Sequence, residues 1–199
     1  MNAKEILKHE NIILRPITES DTDLIVTWRN RDSVKNNFLY RSDFTAENHQ
    51  KWLKEKVATG NVVQFIIEIV NDSKTMPVGS VYLRDIDYEN SSAEFGIFIG
   101  EEAARGKGVG TTASKMILKY GHNELGLHRI FLRLVAENIA AYKSYRKAGF
   151  VSEGIFRDMK KIDGKFVDIM FMSSIKTIGG GGYSSIVKLC SYSSFEVAA

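Results

Sequence analysis

The feature that most constrains this chain is the segment Ala93–Ala113, in which an apolar run passes through a polar turn into a glycine-rich loop and then a predicted helix. The loop reads Arg-Gly-Lys-Gly-Val-Gly from Arg105 to Gly110. The first backbone N–H groups of a helix have no intrahelical acceptor, and the helix dipole places partial positive charge there. Glycines let a ligand approach that backbone closely, and Arg105 and Lys107 add positive charge. The segment therefore predicts a site for an anion such as a diphosphate.

Two common phosphate-binding loops do not fit this sequence. The nucleotide triphosphatase loop ends in Gly-Lys-Ser or Gly-Lys-Thr, whereas Lys107 is followed by Gly108 and Val109. The dinucleotide-binding pattern G-x-G-x-x-G would need its last glycine at Thr111 or Ala113. A flexible turn before a helix remains the alternative interpretation of the loop when it is taken alone.

Length and composition favour one globular domain. The chain has 199 residues, a formal net charge of +3, 44% hydrophobic residues and 26% charged residues. This small, dispersed charge argues against a nucleic-acid partner. The single cysteine, Cys190, excludes an intrachain disulfide, and the histidines lack the spacing of zinc ligands, so we expect no metal. No run approaches the ~20 apolar residues of a membrane span, and we expect a cytoplasmic protein with no membrane partner.

The spacing of apolar residues predicts an α/β fold. A strand and two amphipathic helices come first, three consecutive strands follow, and helices and strands then alternate, which is typical of a mixed sheet with helices on its faces. Predicted strands cover residues 11–15, 61–70, 78–86, 93–99, 129–135, 150–157 and 165–173. Predicted helices cover residues 18–31, 45–58, 106–125 and 139–148.

A C-terminal tail departs from this pattern. Residues 1–176 form the predicted domain, whereas residues 177–199 are rich in glycine and serine and contain the run Gly179–Gly182. Such composition is typical of a flexible linker. A short apolar stretch at 186–190 leaves docking onto the domain or onto a neighbouring subunit as the alternative.

A second motif gives the loop a specific interpretation. Asn138–Phe150 matches N-x-x-A-x-x-x-Y-x-K-x-G-F and follows Arg-x-x-Gly-x-Gly by about thirty residues. Together the two motifs resemble the GCN5-related N-acetyltransferases, the GNAT superfamily, over roughly residues 11–174, and look closest to the RimJ/RimL-like branch. The resemblance implies the GNAT fold, with a central mixed, largely antiparallel, twisted sheet of about seven strands flanked by about four helices. It also implies an enzyme that takes acetyl-coenzyme A as cosubstrate.

In the family, one central strand separates from its neighbour and exposes backbone groups to the pantetheine arm of the coenzyme, and a backbone N–H near Phe98 would face the thioester oxygen. The glycine-rich loop would then hold the diphosphate, and an asparagine amide would fix the pantetheine. The cofactor-binding residues implied by the resemblance are Phe98, Ile99, Gly100, Arg105, Gly106, Lys107, Gly108, Val109, Gly110, Thr111 and Asn138. For Asn138 a helix N-cap is an equally natural role, and the two roles are compatible.

Tyr145 matches the tyrosine that family members use to protonate the departing thiolate. A phenol with a pKa near ~10 can return a proton to sulfur as the C–S bond breaks. The alternative is aromatic packing, because Tyr142 and Tyr145 lie three residues apart on one helix. We expect Tyr145 to be catalytic and Tyr142 to pack.

Glu94 is our candidate for the base that removes a proton from the amine. Period-two alternation places it on one face of its strand with Gly96 and Phe98. A solvated strand position is the alternative. Some relatives place the base five residues before the motif asparagine, and here that position is Arg133.

The acceptor region of the family lies in the first two helices and nearby loops. Its sequence looks like that of bacterial acetyltransferases acting on nucleotide-linked amino sugars, with aromatic residues to stack on a base or sugar and an arginine to pair with a diphosphate. The predicted substrate-binding residues are Trp28, Arg29, Asn30, Tyr40 and Arg41. Core packing for the tryptophan and solvation for the arginines are the alternatives.

The acceptor itself is left open by the sequence. It is a small-molecule amine or the N-terminus of a protein such as a ribosomal protein; a polyamine ranks third because Asp43, Glu47 and Glu55 are interleaved with lysines. A non-catalytic sensor that binds acyl-coenzyme A is the alternative from another class. The sequence also leaves open whether the protein forms a homodimer.

Overall fold

The computed structural model describes residues 5–71 and 74–177, which form eight strands and five α-helices. The strands are β1 (Leu7–His9), β2 (Ile12–Pro16), β3 (Val63–Asn71), β4 (Lys74–Asp87), β5 (Ser92–Ile99), β6 (Arg129–Val135), β7 (Val151–Ile162) and β8 (Lys165–Ile175). The helices are α1 (Thr22–Asn30), α2 (Asp32–Lys35), α3 (Ala46–Trp52), α4 (Val109–Asn123) and α5 (Ile139–Ala148).

All strands belong to one sheet in the order β1-β2-β3-β4-β5-β6-β8-β7. Described neighbours pair antiparallel except β5 and β6, which run parallel. The central strand β3 is buried on both faces, which explains its nearly continuous apolar sequence. The mixed, largely antiparallel sheet predicted from the sequence is thereby confirmed.

Two hydrophobic cores cover the two faces of the sheet. The larger one joins α4 and α5 to residues such as Phe65, Phe95 and Phe150. The smaller one packs Trp28 of α1 and Leu53 against Ile66 and Phe98. Because side chains alternate along a strand, Phe95 and Phe98 of β5 face opposite cores. We call the first the α4 face and the second the α1 face.

Several boundaries differ from the sequence prediction. The sheet has eight strands because β1 pairs with β2, and α2 is an extra short helix between Arg31 and Asn36. Helix α4 begins at Val109 and not at residue 106, because Gly106 and Gly108 have left-handed φ angles of 71° and 83° that no α-helix contains. The second predicted helix is confirmed as α3 followed by a π-helical turn at Leu53–Val57.

The two elements nearest the second motif were predicted at their observed bounds. Strand β6 covers 129–135, and α5 covers 139–148. Asn138 caps α5 by accepting a hydrogen bond from Ala141 N at 3.1 Å, and Gly149 ends the helix with a φ of 112°. The predicted tail beyond residue 177 lies outside the described residues, so its flexibility stays a prediction.

Candidate active site

A cleft of about 530 Å³ runs through the sheet between β5 and β6 and continues to the starts of α4 and α5. Most of the residues predicted to bind the cofactor line it, and Tyr145 lines it as well. Gly100 and Lys107 are not among its lining residues. The cofactor-site residues in the lining are Phe98, Ile99, Arg105, Gly106, Gly108, Val109, Gly110, Thr111 and Asn138.

The cleft exists because the two parallel strands separate. Their described pairing ends at Glu94 opposite Phe131. On its other edge β5 stays paired with β4, and Gly100 N donates to Val78 O at 2.8 Å. Hydrogen-bonded pairs alternate along an antiparallel ladder, so the backbone of Phe98 also points to β4, whereas the N–H groups of Ile97 and Ile99 point into the cleft. The backbone donor expected near Phe98 therefore belongs to its neighbours.

The loop and first helical turn over residues 106–111 form an open surface of backbone groups, which we call the α4 cradle. A Cβ at Gly106 or Gly108 would meet no atom within 4 Å, so these glycines are required by their positive φ angles and not by crowding. Thr112 N donates to Gly108 O at 2.9 Å and closes the first helical turn. The N–H groups of residues 109–111 precede that turn and have no intrahelical acceptor. This arrangement suits a diphosphate.

The side chains around the α4 cradle differ in whether their polar groups already have partners within the protein. Arg105 donates from Nε and Nη2 to Ile99 O at 3.2 and 2.8 Å, so part of its guanidinium group fixes the end of β5. The Thr111 hydroxyl is 2.8 Å from the hydroxyl of Ser144 and ties α4 to α5. Lys143 and Lys147 of α5 also line the cleft. Sequence reasoning missed both lysines, although Lys147 is the lysine of the second motif.

Tyr145 lies on α5 and projects into the cleft from the α4 face. Its ring packs edge-on against Phe95, at a centroid distance of 5.7 Å, and against Phe150, at 5.9 Å. Burial raises the pKa of the Tyr145 phenol above its ordinary value, and the nearby Tyr82 raises it further, so the hydroxyl keeps its proton at neutral pH. Tyr142 packs against the larger core and is absent from the cleft lining, as predicted.

Asn138 has two contacts at the cleft edge. Its side-chain oxygen caps α5, which confirms the capping interpretation. Its amide nitrogen donates to Asn37 Oδ1 at 3.0 Å and so joins α5 to the segment after α2. The predicted contact with pantetheine stays a prediction.

Glu94 lies on the α1 face at the point where the strands separate. It is 7% exposed, and both of its oxygens accept hydrogen bonds from arginines. Arg84 Nη2 donates at 2.8 Å, and Arg133 donates from Nε and Nη2 at 3.0 Å each. Arg133, which stands where some relatives have the base, therefore pairs with Glu94, our candidate base. Its role as a base stays a prediction, now for a carboxylate held by two guanidinium groups.

Three of the predicted substrate-binding residues have structural roles. Trp28 is 0% exposed, and its Nε1 donates to Glu101 Oε1 at 2.6 Å, so it cannot contact an acceptor. Asn30 uses both ends of its amide on the backbone of Phe44. Arg41 pairs with Asp163 at 2.5 Å and donates to a backbone carbonyl. Burial leaves the Trp28 ring no surface for an acceptor. For Asn30 and Arg41 substrate binding stays a prediction, now for polar groups that already bind other parts of the protein.

Arg29 and Tyr40 are placed differently: Tyr40 lines both cavities at the cleft mouth, whereas Arg29 lines neither and packs on aromatic rings beside the cleft. The guanidinium carbon of Arg29 lies 3.5 Å from the ring centroid of Phe38 and 5.1 Å from that of Phe44. No acidic side chain among the described residues forms an ion pair with it. Burial lowers the pKa of this guanidinium from its ordinary value, and the nearby Arg84 adds to that effect. Tyr40 is 59% exposed at the mouth of the cleft.

A smaller cavity of about 180 Å³ adjoins the mouth of the cleft. Tyr40 and Arg133 line both cavities. Lys160 of β7, which the sequence reasoning missed, places its ammonium 3.6 Å from the centroid of the Tyr40 ring. The β7–β8 hairpin therefore forms one wall of the entrance on the α1 face.

The charge of the cleft is strongly one-sided. Glu94 is the single acidic residue among the described residues of its lining. The basic residues of the lining are Arg84, Arg105, Arg133, Lys143 and Lys147. Such a cleft attracts anionic groups and repels ammonium groups.

Comparison with known proteins identifies the family. Residues 11–151 match the acetyltransferase (GNAT) domain. The chain belongs to the GNAT acetyltransferase family. The prediction of an N-acetyltransferase is therefore confirmed, whereas the RimJ/RimL-like branch stays a prediction.

The chain is similar to several relatives of different length. It is 29% identical over 170 residues to the probable N-acetyltransferase YjcK of Bacillus subtilis, covering 82% of this chain and 93% of that protein. It is 36% identical over 104 residues to a spermidine N(1)-acetyltransferase of Vibrio cholerae, covering 52% of this chain and 60% of that protein. An uncharacterized Methanocaldococcus jannaschii protein matches at 29% over 150 residues, but the chain spans only 30% of its length.

The fold is also similar to a solved structure. The crystal structure of spermidine N-acetyltransferase from Vibrio cholerae in complex with CoA and spermine matches with a TM-score of 0.77 and 25% identity, over 84% of this chain and 96% of that one. No helix within residues 5–71 and 74–177 is long and apolar enough to span a bilayer. The same residues contain no cluster of three or more potential metal ligands.

Proposed function

We propose that this protein transfers the acetyl group of acetyl-coenzyme A to a primary amine. The observation that carries the proposal is that the Tyr145 ring, the separated strands and the α4 cradle all line one cleft. The Vibrio cholerae relative, which was solved with CoA, supports the choice of cosubstrate.

The residues fit a coenzyme that lies along the cleft from the α4 face. Its diphosphate lies against the backbone N–H groups at the start of α4, and Lys143 and Lys147 add positive charge nearby. Its pantetheine arm follows the open edge of β5, where Ile97 and Ile99 offer backbone groups. The acetyl group then lies in the gap between β5 and β6.

The chemistry requires one attack and one proton donation. The amine lone pair attacks the thioester carbon, a C–N bond forms, and the C–S bond breaks with its electrons leaving on sulfur. Tyr145 donates its proton to that sulfur, and the proton lost by the nitrogen returns to the phenolate through water. A backbone N–H of β5 stabilises the negative charge on the carbonyl oxygen during attack.

For the acceptor we favour a nucleotide-linked amino sugar or a similar small amine with an anionic group. Two side chains on the α1 face support this choice. Tyr40 lines the entrance and is 59% exposed. Arg29 is a half-buried cation behind Phe38 of the cleft lining and has no carboxylate partner among the described residues. Arginine is well suited to pair with a phosphate group.

The names of relatives suggest a polyamine instead, since two of the matched proteins are spermidine acetyltransferases. A polyamine carries several positive charges, and Glu94, the one acid among the described lining residues, already pairs with two arginines. For this reason we rank polyamines below anionic amines in the proposal. A protein N-terminus, whose α-amine has a pKa near ~8, is the second candidate because it is easily deprotonated.

The test is thiol release from acetyl-coenzyme A in the presence of an amine panel. The panel contains an amino-sugar nucleotide, a peptide with a free N-terminus, and spermidine. We expect release to depend on the amine and to be fastest with the anionic acceptor, and Tyr145→Phe to reduce it strongly. Tight coenzyme binding without release on any amine would support a non-catalytic sensor instead.

A further inference from the structure

The cluster formed by Arg84, Glu94 and Arg133 has an excess positive charge beside the reaction centre. Arg84 and Glu94 are cross-strand partners on β4 and β5, and Arg133 reaches the same carboxylate from β6 with two hydrogen bonds. Two guanidinium charges against one carboxylate leave one positive charge. The cluster lies where β5 and β6 separate, so an acceptor that enters from the α1 face passes it to reach the gap.

Other groups facing this space do not cancel the excess. Lys160 of β7 lines the smaller cavity at the entrance and adds a positive charge. Arg29 of α1 lines neither cavity, but its guanidinium packs on Phe38, which lines the cleft, and it has no ion-pair partner among the described residues. Tyr82 of β4 and Tyr145 of α5 are neutral phenols. Asp85 is 3.7 Å from Arg84, but its side chain is 64% exposed and is absent from the cleft lining.

From this arrangement we infer that Arg84 and Arg133 make the enzyme selective for weakly basic amines, because they disfavour the protonated form of the amine bound in the gap. Positive charge near an amine disfavours its protonated form. One excess charge within about 10 Å changes the basicity of a bound amine by roughly one pH unit at an effective dielectric constant near 20. The bound ammonium therefore releases its proton to water at a lower pH than the free ammonium does, and Glu94 acts as a positioning residue for Arg133 and not as the base.

This inference rests on the proposed function and deepens it by naming the class of amine. It favours amino sugars and α-amines, whose pKa values lie near ~8, over alkyl amines and polyamines, whose values lie near ~10. An anionic group elsewhere on the acceptor is compatible with it, because Arg29 can pair with that group.

The experiment measures kcat against pH for thiol release with three small amines of decreasing basicity: ethylamine, 2-methoxyethylamine and 2,2,2-trifluoroethylamine. All are small enough to enter the cleft. The kcat profile reports the pKa of groups in the ternary complex. We expect the apparent pKa with each amine to lie about one pH unit below that of the free amine.

Three variants separate the cluster from other causes. Arg133→Gln should raise the apparent pKa by about one pH unit. Lys161 is a cation of β7 that is absent from the cleft lining, so the control variant Lys161→Gln should leave the apparent pKa unchanged. Because removing one partner can disturb the fold, the double variant Arg133→Gln with Glu94→Gln preserves the net charge and should return the apparent pKa to that of the unaltered protein.

Two results overturn the inference. If Glu94→Gln lowers kcat by 100-fold or more at every pH in a folded protein, Glu94 is the base. If the apparent pKa equals the pKa of each free amine and is the same in the Arg133→Gln variant, the cluster has no electrostatic role. Thiol release in these cases leaves the proposed function intact, whereas no release with any amine, including the acceptor panel, ends both proposals.

Discussion

The α4 face and the α1 face of the cleft are built from different parts of the chain. On the α4 face the site consists mainly of backbone, with left-handed glycines, the start of α4 and the open edge of β5. On the α1 face it consists of side chains, several of which already bind other parts of the protein. Backbone groups are fixed once the fold forms, whereas a side chain serves a ligand only when the fold does not occupy it.

The largest expected effect is structural and contrasts two residues that the sequence assigned to the acceptor. Trp28→Ala removes a fully buried ring and leaves a cavity beside Phe98, so the free energy of unfolding should fall by about 3–5 kcal/mol. Tyr40→Ala, at a residue that is 59% exposed, should change it by about 0.5 kcal/mol or less. Urea denaturation measures both values. Equal losses would mean that Tyr40 belongs to the core.

The largest expected catalytic effect lies at Tyr145. Tyr145→Phe keeps the edge-on packing against Phe95 but removes the proton donor, so kcat should fall by about 100-fold or more with little change in stability. Steady-state thiol release measures kcat. Tyr142→Phe on the same helix is the matched control and should remain within about twofold. A Tyr145→Phe enzyme with unchanged kcat would show that another group protonates the sulfur.

Two arginines on the α1 face sharpen the contrast between available and occupied side chains. Arg29→Gln should raise the KM of an anionic acceptor by about tenfold, because a charged hydrogen bond is worth roughly 1.5–3 kcal/mol. Arg41→Gln should leave that KM nearly unchanged, since Arg41 pairs with Asp163. Acceptor titrations at saturating acetyl-coenzyme A measure both constants. The opposite ranking would place the anion at the β7–β8 hairpin.

Two glycines test the backbone character of the α4 face. Gly108→Ala forces an L-residue into a φ of 83° and should lower the free energy of unfolding by about 1–2 kcal/mol. Gly110→Ala has no such strain, and its Cβ would come no closer than 3.8 Å to Ile99 Cγ1. It should therefore keep its stability but raise the KM for acetyl-coenzyme A. An unchanged KM would argue that the coenzyme does not lie against residue 110.

The smallest expected effect is a decrease in the free energy of unfolding at acidic pH. Burial lowers the pKa of His49 below its ordinary value of 6.5, so the unfolded chain binds the proton more readily than the folded one. Stability should therefore be complete above pH 6.5 and decline as the pH falls below it. His122 on α4 acts in the same direction. His49→Gln should reduce this slope in denaturation curves between pH 7 and 5, and an unchanged slope would mean that His49 is not its source.

The success of the sequence predictions also differs between backbone features and side-chain contacts. The bounds of β6 and α5 were predicted correctly, because alternation, an N-cap at Asn138 and a terminal Gly149 are local signals. The start of α4 was placed three residues early, because positive φ angles at Gly106 and Gly108 depend on the loop and not on helix propensity. Backbone sites can thus be predicted wherever local chemistry fixes the chain.

The occupied side chains could not be predicted. Nothing near Arg41 in the sequence shows that Asp163 lies beside it, and nothing near Glu94 shows that Arg133 pairs with it. Each of these contacts joins residues far apart in the chain through the order of strands in the sheet. Alternation along β5 did predict that Glu94 and Phe98 share a face, because that relation is local.

The separation of β5 from β6 has a consequence for the order of events. Because residues of both faces of the sheet line the opening, the proposed function has the coenzyme and the amine approach from opposite sides, and neither would block the route of the other. We therefore expect both substrates to be bound at the same time and the acetyl group to pass directly from the coenzyme to the amine, with no acetylated side chain as an intermediate. Initial-rate plots should show intersecting lines and not the parallel lines of a substituted enzyme.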